Sequence, residues 1–101
     1  MIRVTVIYDP PANPAAFDDH YHNIHVKLVA KMPRLQSFSF SRGAVENSNA
    51  ERPAHLIAFL DYDSKADLDA SLESEEGRAA VADVSRFASG GVTILTAALS
   101  D

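Results

Sequence analysis

The sequence contains no cysteine, and it has no run of basic residues. Without cysteine the chain can form no disulfide, no thiolate metal site and no thiol nucleophile. The nine lysines and arginines are scattered and are outnumbered by fourteen acidic residues, which gives a net charge of −5 at pH 7. Nucleic acid and anionic membrane surfaces are therefore poor partners on electrostatic grounds.

Long apolar runs and the features of a signal peptide are missing as well. No apolar run approaches the ~20 residues that are needed to span a bilayer. The first residues, from Met1 to Val4, enter a strand-like pattern directly and lack the charged, apolar and small-residue regions of a signal peptide. The chain of 101 residues, 47% hydrophobic and 23% charged, has the size and composition of one folded domain covering residues 1–101. We expect a cytoplasmic protein.

Alternation of apolar and polar side chains predicts four strands, at residues 2–8, 36–40, 55–62 and 92–99. The first two strands have one apolar face and one mixed or polar face. The third and fourth strands are apolar on both faces, which is typical of strands that are covered on both sides. The polar, turn-rich residues 43–53 predict a loop between the second and third strands.

Two helical regions are predicted between these strands. The first begins with Asn13 as N-cap and Pro14 in the first helical position, and it ends before Pro33. The second region contains one helix that starts after Ser64 and another that starts at Ser74. In the first region, apolar residues recur at steps of three or four and predict one buried stripe: Phe17, Tyr21, Ile24, Leu28 and Met32.

The order β-α-β-β-α-β predicts a ferredoxin-like α+β fold, with helices on one face of a four-stranded antiparallel sheet. The other face would then be bare, although two strands are apolar on both faces. An exposed apolar face of several hundred Å² is rare on a monomer, and a second copy related by a two-fold axis would cover it. We therefore expect a homodimer, with a pocket between each sheet and its helices.

Three histidines lie in the first helical region: His20, His22 and His25. At ~100° per residue, His20 and His22 point nearly opposite ways, whereas His22 and His25 are about 60° apart. His25 lies at the edge of the apolar stripe, one turn after Tyr21, so the two are neighbours at i and i+4. In one interpretation His25 moves a proton in a semi-apolar pocket and Tyr21 orients a substrate oxygen. In the other, His25 is a hydrogen-bonded structural residue.

Other side chains extend the candidate site. His22 and His25 could share a metal ion, but no nearby carboxylate clearly completes such a site, because Asp18 could equally form a surface pair; we predict no metal. His55 either faces the same pocket or is structural. Three phenylalanines either line the pocket or belong to the core. The substrate-binding candidates are therefore His22, Phe38, Phe40, His55 and Phe59.

The residues also resemble a known family. Tyr21 to Leu28 (Tyr-His-Asn-Ile-His-Val-Lys-Leu) is similar to the Tyr-x-x-x-His-x-x-Leu helix signature of EthD-type proteins. Residues 31–35, 74–77 and 87–93 resemble the exit of that helix, the start of the last helix and the run into the final strand. The sequence departs from the family pattern at Arg34, where glycine is common, and at Glu75, where proline is common.

The resemblance implies a dimeric α+β barrel of ferredoxin-like protomers, among cofactor-free isomerases, decarboxylases, dehydratases and small monooxygenases that bind apolar or aromatic molecules. The matching candidates are Tyr21 and His25. We expect an enzyme without a cofactor that acts on a small apolar or aromatic oxygenated compound, with His25 as general acid or base. The alternatives are a non-catalytic ligand-binding or accessory protein of a catabolic or oxygenase pathway, and a haem protein with His25 as axial ligand.

Overall fold

A computed structural model gives the structure of the protein for residues 1–100. Its strands form one antiparallel sheet in the order β2-β3-β1-β4: β1 (Ile2–Tyr8), β2 (Ser37–Phe40), β3 (Leu56–Tyr62) and β4 (Val92–Ala98). The helical segments are α1 (Pro14–His20), a π-helical turn (Tyr21–His25), α2 (Val26–Ala30), α3 (Lys65–Glu73) and α4 (Glu75–Phe87). This arrangement confirms the ferredoxin-like α+β fold.

The helix starts follow from local capping. The side chain of Asn13 accepts a hydrogen bond from the amide of Ala16 at 3.1 Å, and Pro14 occupies the first helical position. Ser64 and Ser74 cap α3 and α4 in the same way, because each side chain accepts from the backbone amide three residues later. Each cap satisfies a backbone N–H that has no partner within the helix, and all three predicted helix starts are confirmed.

The buried stripe of the first helical region differs from the predicted one. Ile24 is 45% exposed, and His25 and Val29 are buried instead. The reason is the π-helical turn, in which the amide of Val26 donates to the carbonyl of Tyr21, five residues earlier. A turn of this type contains more residues than an α-helical turn. The residue on the same side as Tyr21 is therefore His25, four positions later, and not Ile24, three positions later. The prediction that Ile24 belongs to the stripe was wrong.

One face of the sheet packs against the helices and forms the core. Alternate residues of the two central strands are buried there, including Val4, Val6 and Tyr8 of β1 and Leu56, Ala58 and Leu60 of β3. The helix-free face carries the residues between them. On that face Arg3 forms a bidentate pair with Asp61, at 2.8 and 3.0 Å, and its guanidinium lies 5.2 Å from the centre of the Phe59 ring.

Strand β4 lies at the edge of the sheet, and every one of its residues is exposed. Ile94 points to the helix side and Leu95 to the helix-free side, and they are 58% and 53% exposed. The predicted apolar character of both faces is therefore present, but a single chain leaves both uncovered. Within residues 1–100, no helix has the length and apolar character to cross a membrane.

Two positions next to helix ends place special demands on the backbone. Gly77 lets the start of α4 lie against the end of α3, because a Cβ atom there would overlap the carbonyl oxygen of Ser71. Arg34 follows α2 with φ = 64°, a left-handed conformation that glycine adopts more easily. The departure from the family pattern at Arg34 thus falls on a left-handed position.

Candidate active site

Asp83 and His25 form the centre of the site. Asp83 of α4 is 1% exposed, and its Oδ2 lies 3.0 Å from Nδ1 of His25, which is 4% exposed. A buried carboxylate of this kind fixes the orientation and tautomer of the imidazole, because an ionised carboxylate only accepts hydrogen bonds. His25 therefore donates through Nδ1, which leaves its Nε2 free to accept a proton.

His20 contacts the same carboxylate. Its Nε2 lies 2.9 Å from Oδ1 and 3.0 Å from Oδ2 of Asp83. In an α-helix two residues five apart would lie about 140° apart, so the π-helical turn between them is what brings both rings to one partner. The expected neighbour of His25 was His22, and the structure gives that place to His20.

Tyr21 closes one side of the site. Its ring centre lies 5.3 Å from that of His25, and its side chain is fully buried. Among the described residues, its hydroxyl is the one buried side-chain polar atom without a hydrogen-bond partner. Burial raises the pKa of Tyr21 well above its usual range, so the hydroxyl stays protonated and can donate. An unpaired buried hydroxyl costs free energy and is suited to a ligand oxygen.

A cavity of about 240 Å³ lies between the sheet and the helices and reaches both Tyr21 and His25. Its other walls are apolar side chains of the sheet and of the helices, among them Val6, Val29, Phe38, Leu60, Leu68 and Val84. The prediction of a pocket between sheet and helices is therefore met in position. Leu72, Val81 and Ile94 form an exposed apolar rim on the side of β4.

The protonation of His25 follows from this environment. Burial lowers the pKa of His25 below its ordinary value, and the hydrogen bond and charge of Asp83 oppose that shift only in part. At neutral pH the ring is therefore uncharged and able to act as a base.

The remaining candidates divide between this cavity and a separate cleft. Phe38 lines the cavity, whereas His22, Phe40 and His55 line a cleft of about 780 Å³ beside the loop after β2. In that cleft Nε2 of His55 lies 2.8 Å from Oδ1 of Asp18, which is the surface pair considered for Asp18. The cleft is larger and more polar than the cavity, and it contains neither Tyr21 nor His25.

Phe59 lies outside both cavities. It is paired with Thr5 on the helix-free face of the sheet, where Arg3 covers its ring. The period of two residues in a strand sends Phe59 to the face opposite Ala58 and Leu60. We therefore leave Phe59 out of the candidate site.

Two groups of the site, Asp83 and His20, were missed by sequence reasoning. Asp83 belongs to the buried face of α4 together with Ala80 and Phe87, whereas the neighbouring Val81 is 57% exposed. Asp83 lies three residues after Ala80 and four residues before Phe87, and this helical spacing, which the sequence contains, indicates that its carboxylate is on the buried face. His20 could not be found in this way, because its position depends on the π-helical turn.

The side chains and the cavity can be compared with what a metal ion or a haem group requires. Within residues 1–100 there is no cluster of three or more His, Cys, Asp or Glu side chains with an arrangement that could hold a metal ion. The cavity at His25, about 240 Å³, is smaller than the roughly 300–1,000 Å³ of pockets for drug-sized ligands. Haem is larger than such ligands and does not fit.

Residues 9–91 match the family model of the EthD domain. The chain belongs to the EthD domain family. A relative from Rhodococcus erythropolis, described as an uncharacterized 11.0 kDa protein in the thcB-thcC intergenic region, is 45% identical over 96 residues, which cover 94% of this chain and 91% of the relative.

One similar solved structure comes from the same family, and two others share the fold. An EthD family protein from Bacillus halodurans is 28% identical with a TM-score of 0.89, over 99% of both chains. A dimeric ferredoxin-like protein of unknown function from Thermobifida fusca has a TM-score of 0.72 at 20% identity, over 97% of this chain and 90% of that one. A cofactor-independent oxygenase from Streptomyces nogalater has a TM-score of 0.71 at 8% identity, over 99% and 93%. The last two likenesses show the fold alone.

Proposed function

We propose that this EthD domain protein is an enzyme without a cofactor, and that it abstracts a proton next to a carbonyl group in a small apolar or aromatic compound. The observation that carries the proposal is the hydrogen bond of 3.0 Å between Asp83 and the buried His25, beside a tyrosine hydroxyl that has no protein partner. A base, an orienting carboxylate and a donor for a developing oxyanion are the groups that such a reaction needs.

The proposed step uses each of the three side chains once. Nε2 of His25 takes the proton from the carbon, and the electrons of the C–H bond move into an enolate. The hydroxyl of Tyr21 donates to the enolate oxygen, where negative charge develops. Asp83 stays ionised and stabilises the imidazolium of His25 through Nδ1–H. Return of the proton to the same carbon completes an exchange, and its transfer to the enolate oxygen gives the enol.

The size and lining of the cavity limit the substrate class. An apolar cavity of about 150 Å³ takes up a benzene molecule, so about 240 Å³ holds a single ring with a short substituent. The apolar walls disfavour charged groups, since a charge buried without a partner is costly. We therefore propose uncharged aryl ketones and 1,3-diketones as the substrate class.

Hydrogen–deuterium exchange tests the reaction directly. The protein is incubated in D₂O with 1-phenylpropan-2-one or with benzoylacetone, and loss of the α-proton signal is followed by ¹H NMR. We expect His25→Gln to lower the protein-dependent exchange rate by about 100-fold or more, because glutamine can keep the hydrogen bond to Asp83 but is not a base. His22→Gln is the matched control, since His22 lies in the other cleft, and it should leave the rate unchanged.

Two results would overturn the proposal. The first is that the wild-type protein accelerates exchange of neither probe, and the second is that His25→Gln exchanges as fast as the wild type. Binding of the probes without exchange, measured by calorimetry, would leave a ligand-binding or accessory protein as the function.

We also propose that the chain forms a homodimer through β4 and the helix-free face of the sheet. Both faces of β4 are exposed and include Ile94 and Leu95. Arg3 and Ser37 both donate to Asp61, so a second copy can cover this face without leaving that carboxylate unpaired. The neighbour from Thermobifida fusca is described as dimeric.

Light scattering after size exclusion tests the dimer. We expect twice the 10.9 kDa of one chain for the wild type and a single-chain mass for Leu95→Asp, because the new carboxylate would be buried without a partner. Ile24→Asp is the control, since Ile24 has a comparable exposure, 45% against 53%, but lies in the first helical region and lines neither cavity. A wild-type monomer at micromolar concentration would disprove the dimer.

A further inference from the structure

The carboxylate of Asp83 serves two histidines, although the proposed reaction uses only one of them. His20 lies 2.9 and 3.0 Å from its two oxygens, and His25 lies 3.0 Å from Oδ2. Because an ionised carboxylate only accepts, both rings donate to it. His20 donates through Nε2 and His25 through Nδ1, so each ring keeps one further nitrogen that can gain or lose a proton.

The two rings differ in their access to water. The side chain of His25 is 5% exposed and that of His20 is 21% exposed. His20 also stacks on Phe87, with ring centres 5.1 Å apart, which holds it at the edge of the site. His20 can therefore exchange a proton with solvent, whereas His25 faces the cavity.

A buried carboxylate needs a nearby positive charge. Arg86 lies 3.8 Å from Asp83, but its side chain is 71% exposed and its charge is screened by water. The histidines are closer and less exposed. The titratable and charged groups around Asp83, from every element packed against it, are His20, Tyr21, His25, Arg86 and Tyr8.

We propose that His20 is a positioning residue that shares one positive charge with His25 through Asp83. In the resting protein His20 carries the charge and His25 is neutral. This inference adds to the proposed function, and it rests on that function for its role in turnover. The sharing of charge itself does not require a substrate.

In turnover the charge moves from one ring to the other while the protons balance. Nε2 of His25 gains the proton of the substrate carbon and becomes an imidazolium. His20 then loses its Nδ1 proton to water and keeps its Nε2–H bond to Asp83. The net charge of His20, His25 and Asp83 together remains zero, which avoids placing a second positive charge in a buried site. Return of the proton to the product reverses both steps.

NMR titration of the imidazoles tests this without any substrate. His20→Gln keeps an N–H donor for Asp83 but cannot carry charge, and the C–H resonances of His25 are followed from pH 4 to 9. We expect the midpoint of His25 to rise by about one pH unit, the ordinary effect of removing a neighbouring like charge. His22→Gln, on the same helical segment, should leave the midpoint within about 0.2 units.

The wild-type protein gives a second measurement that does not depend on the folding of a variant. Two groups that share a charge titrate as a coupled pair, so the curves of His20 and His25 should each be broader than that of a single site. An unchanged midpoint in His20→Gln, or two independent single-site curves in the wild type, would overturn the proposal. The exchange assay with ketones is separate, so a failure of the proposed function would be seen there and not in the titration.

Discussion

The amide of Val26 donates its hydrogen bond to the carbonyl oxygen of Tyr21, five residues earlier in the chain. This π-type bond widens one turn of the first helical region, and both His20 and His25 reach Asp83 as a result. Single π-helical turns inside α-helices are often found at functional sites. In a regular α-helix only one of the two histidines could contact Asp83, and the π-helical turn allows both to do so.

Asp83→Asn should slow the proposed proton exchange by about 10- to 100-fold, the usual effect of removing a group that orients a functional histidine. The amide presents an N–H as well as an oxygen, so the tautomer of His25 is no longer fixed. Asp18→Asn is the control, because Asp18 pairs with His55 at 2.8 Å outside the cavity. Exchange rates of both variants are measured by NMR, and equal effects would contradict a special role of Asp83.

The stability of the protein should fall as the pH falls below about 6.5, in part because of His25. Burial lowers the pKa of His25 in the folded protein, so the unfolded chain binds more protons between that lower value and the ordinary one. The free energy of unfolding therefore decreases as the pH drops through this range. Thermal unfolding at pH 7.5 and 5.5 measures the effect.

The control for this prediction is His25→Gln, which removes the titrating group. The loss of melting temperature between the two pH values should be smaller in His25→Gln than in the wild type. An equal or larger loss in the variant would mean that His25 does not contribute.

Gly77→Ala should destabilise the protein by about 1–3 kcal/mol, the range for overpacked sites. The added Cβ would overlap the carbonyl oxygen of Ser71, and backbone atoms cannot give way easily. The higher helix propensity of alanine, about 1 kcal/mol, offsets only part of this. Urea unfolding measures the change.

Gly43→Ala separates crowding from backbone conformation. Gly43 has φ = 75° and no atom within 4 Å of an added Cβ, so its substitution costs only the left-handed conformation, about 1 kcal/mol. If the Gly77→Ala protein were as stable as the wild type, the close approach of α3 and α4 would not hold in solution.

Arg34→Gly should be more stable than Arg34→Ala by about 1 kcal/mol. Both variants lose the ion pair between Arg34 and Asp67, 2.9 Å in length, and differ in how they accept φ = 64°. Glycine adopts this left-handed conformation without strain. Chemical denaturation of the two variants side by side gives the difference, and a more stable alanine variant would contradict the strain.

Much of the fold could be predicted because its signals are local. The cap at Asn13 and Pro14, the caps at Ser64 and Ser74, and the alternation in the strands each depend on a few neighbouring residues. The order of the elements then leaves few ways to pair the strands. Tyr21 and His25 could be proposed from the sequence because they belong to one helical segment and match the family signature.

The rest of the site could not be predicted for two physical reasons. Asp83 meets His25 across 58 residues of sequence, and such a contact depends on how α4 packs and not on its own pattern. His20 and Ile24 were misjudged because one π-type bond changes the angle between residues, and the sequence around it is compatible with a regular helix. Phe59 was grouped with Phe38 and Phe40 by residue type, although the strand pleat separates them.

The exposed strand β4 has a consequence for the chain during synthesis and folding. β4 follows the other three strands in the sequence and pairs with β1, which precedes them, so the sheet is completed only after β4 has been made. An edge strand with unpaired backbone groups and apolar side chains is a template for pairing with foreign strands. In the proposed homodimer a second copy would cover β4, so the dimer would also protect this edge strand from aggregation.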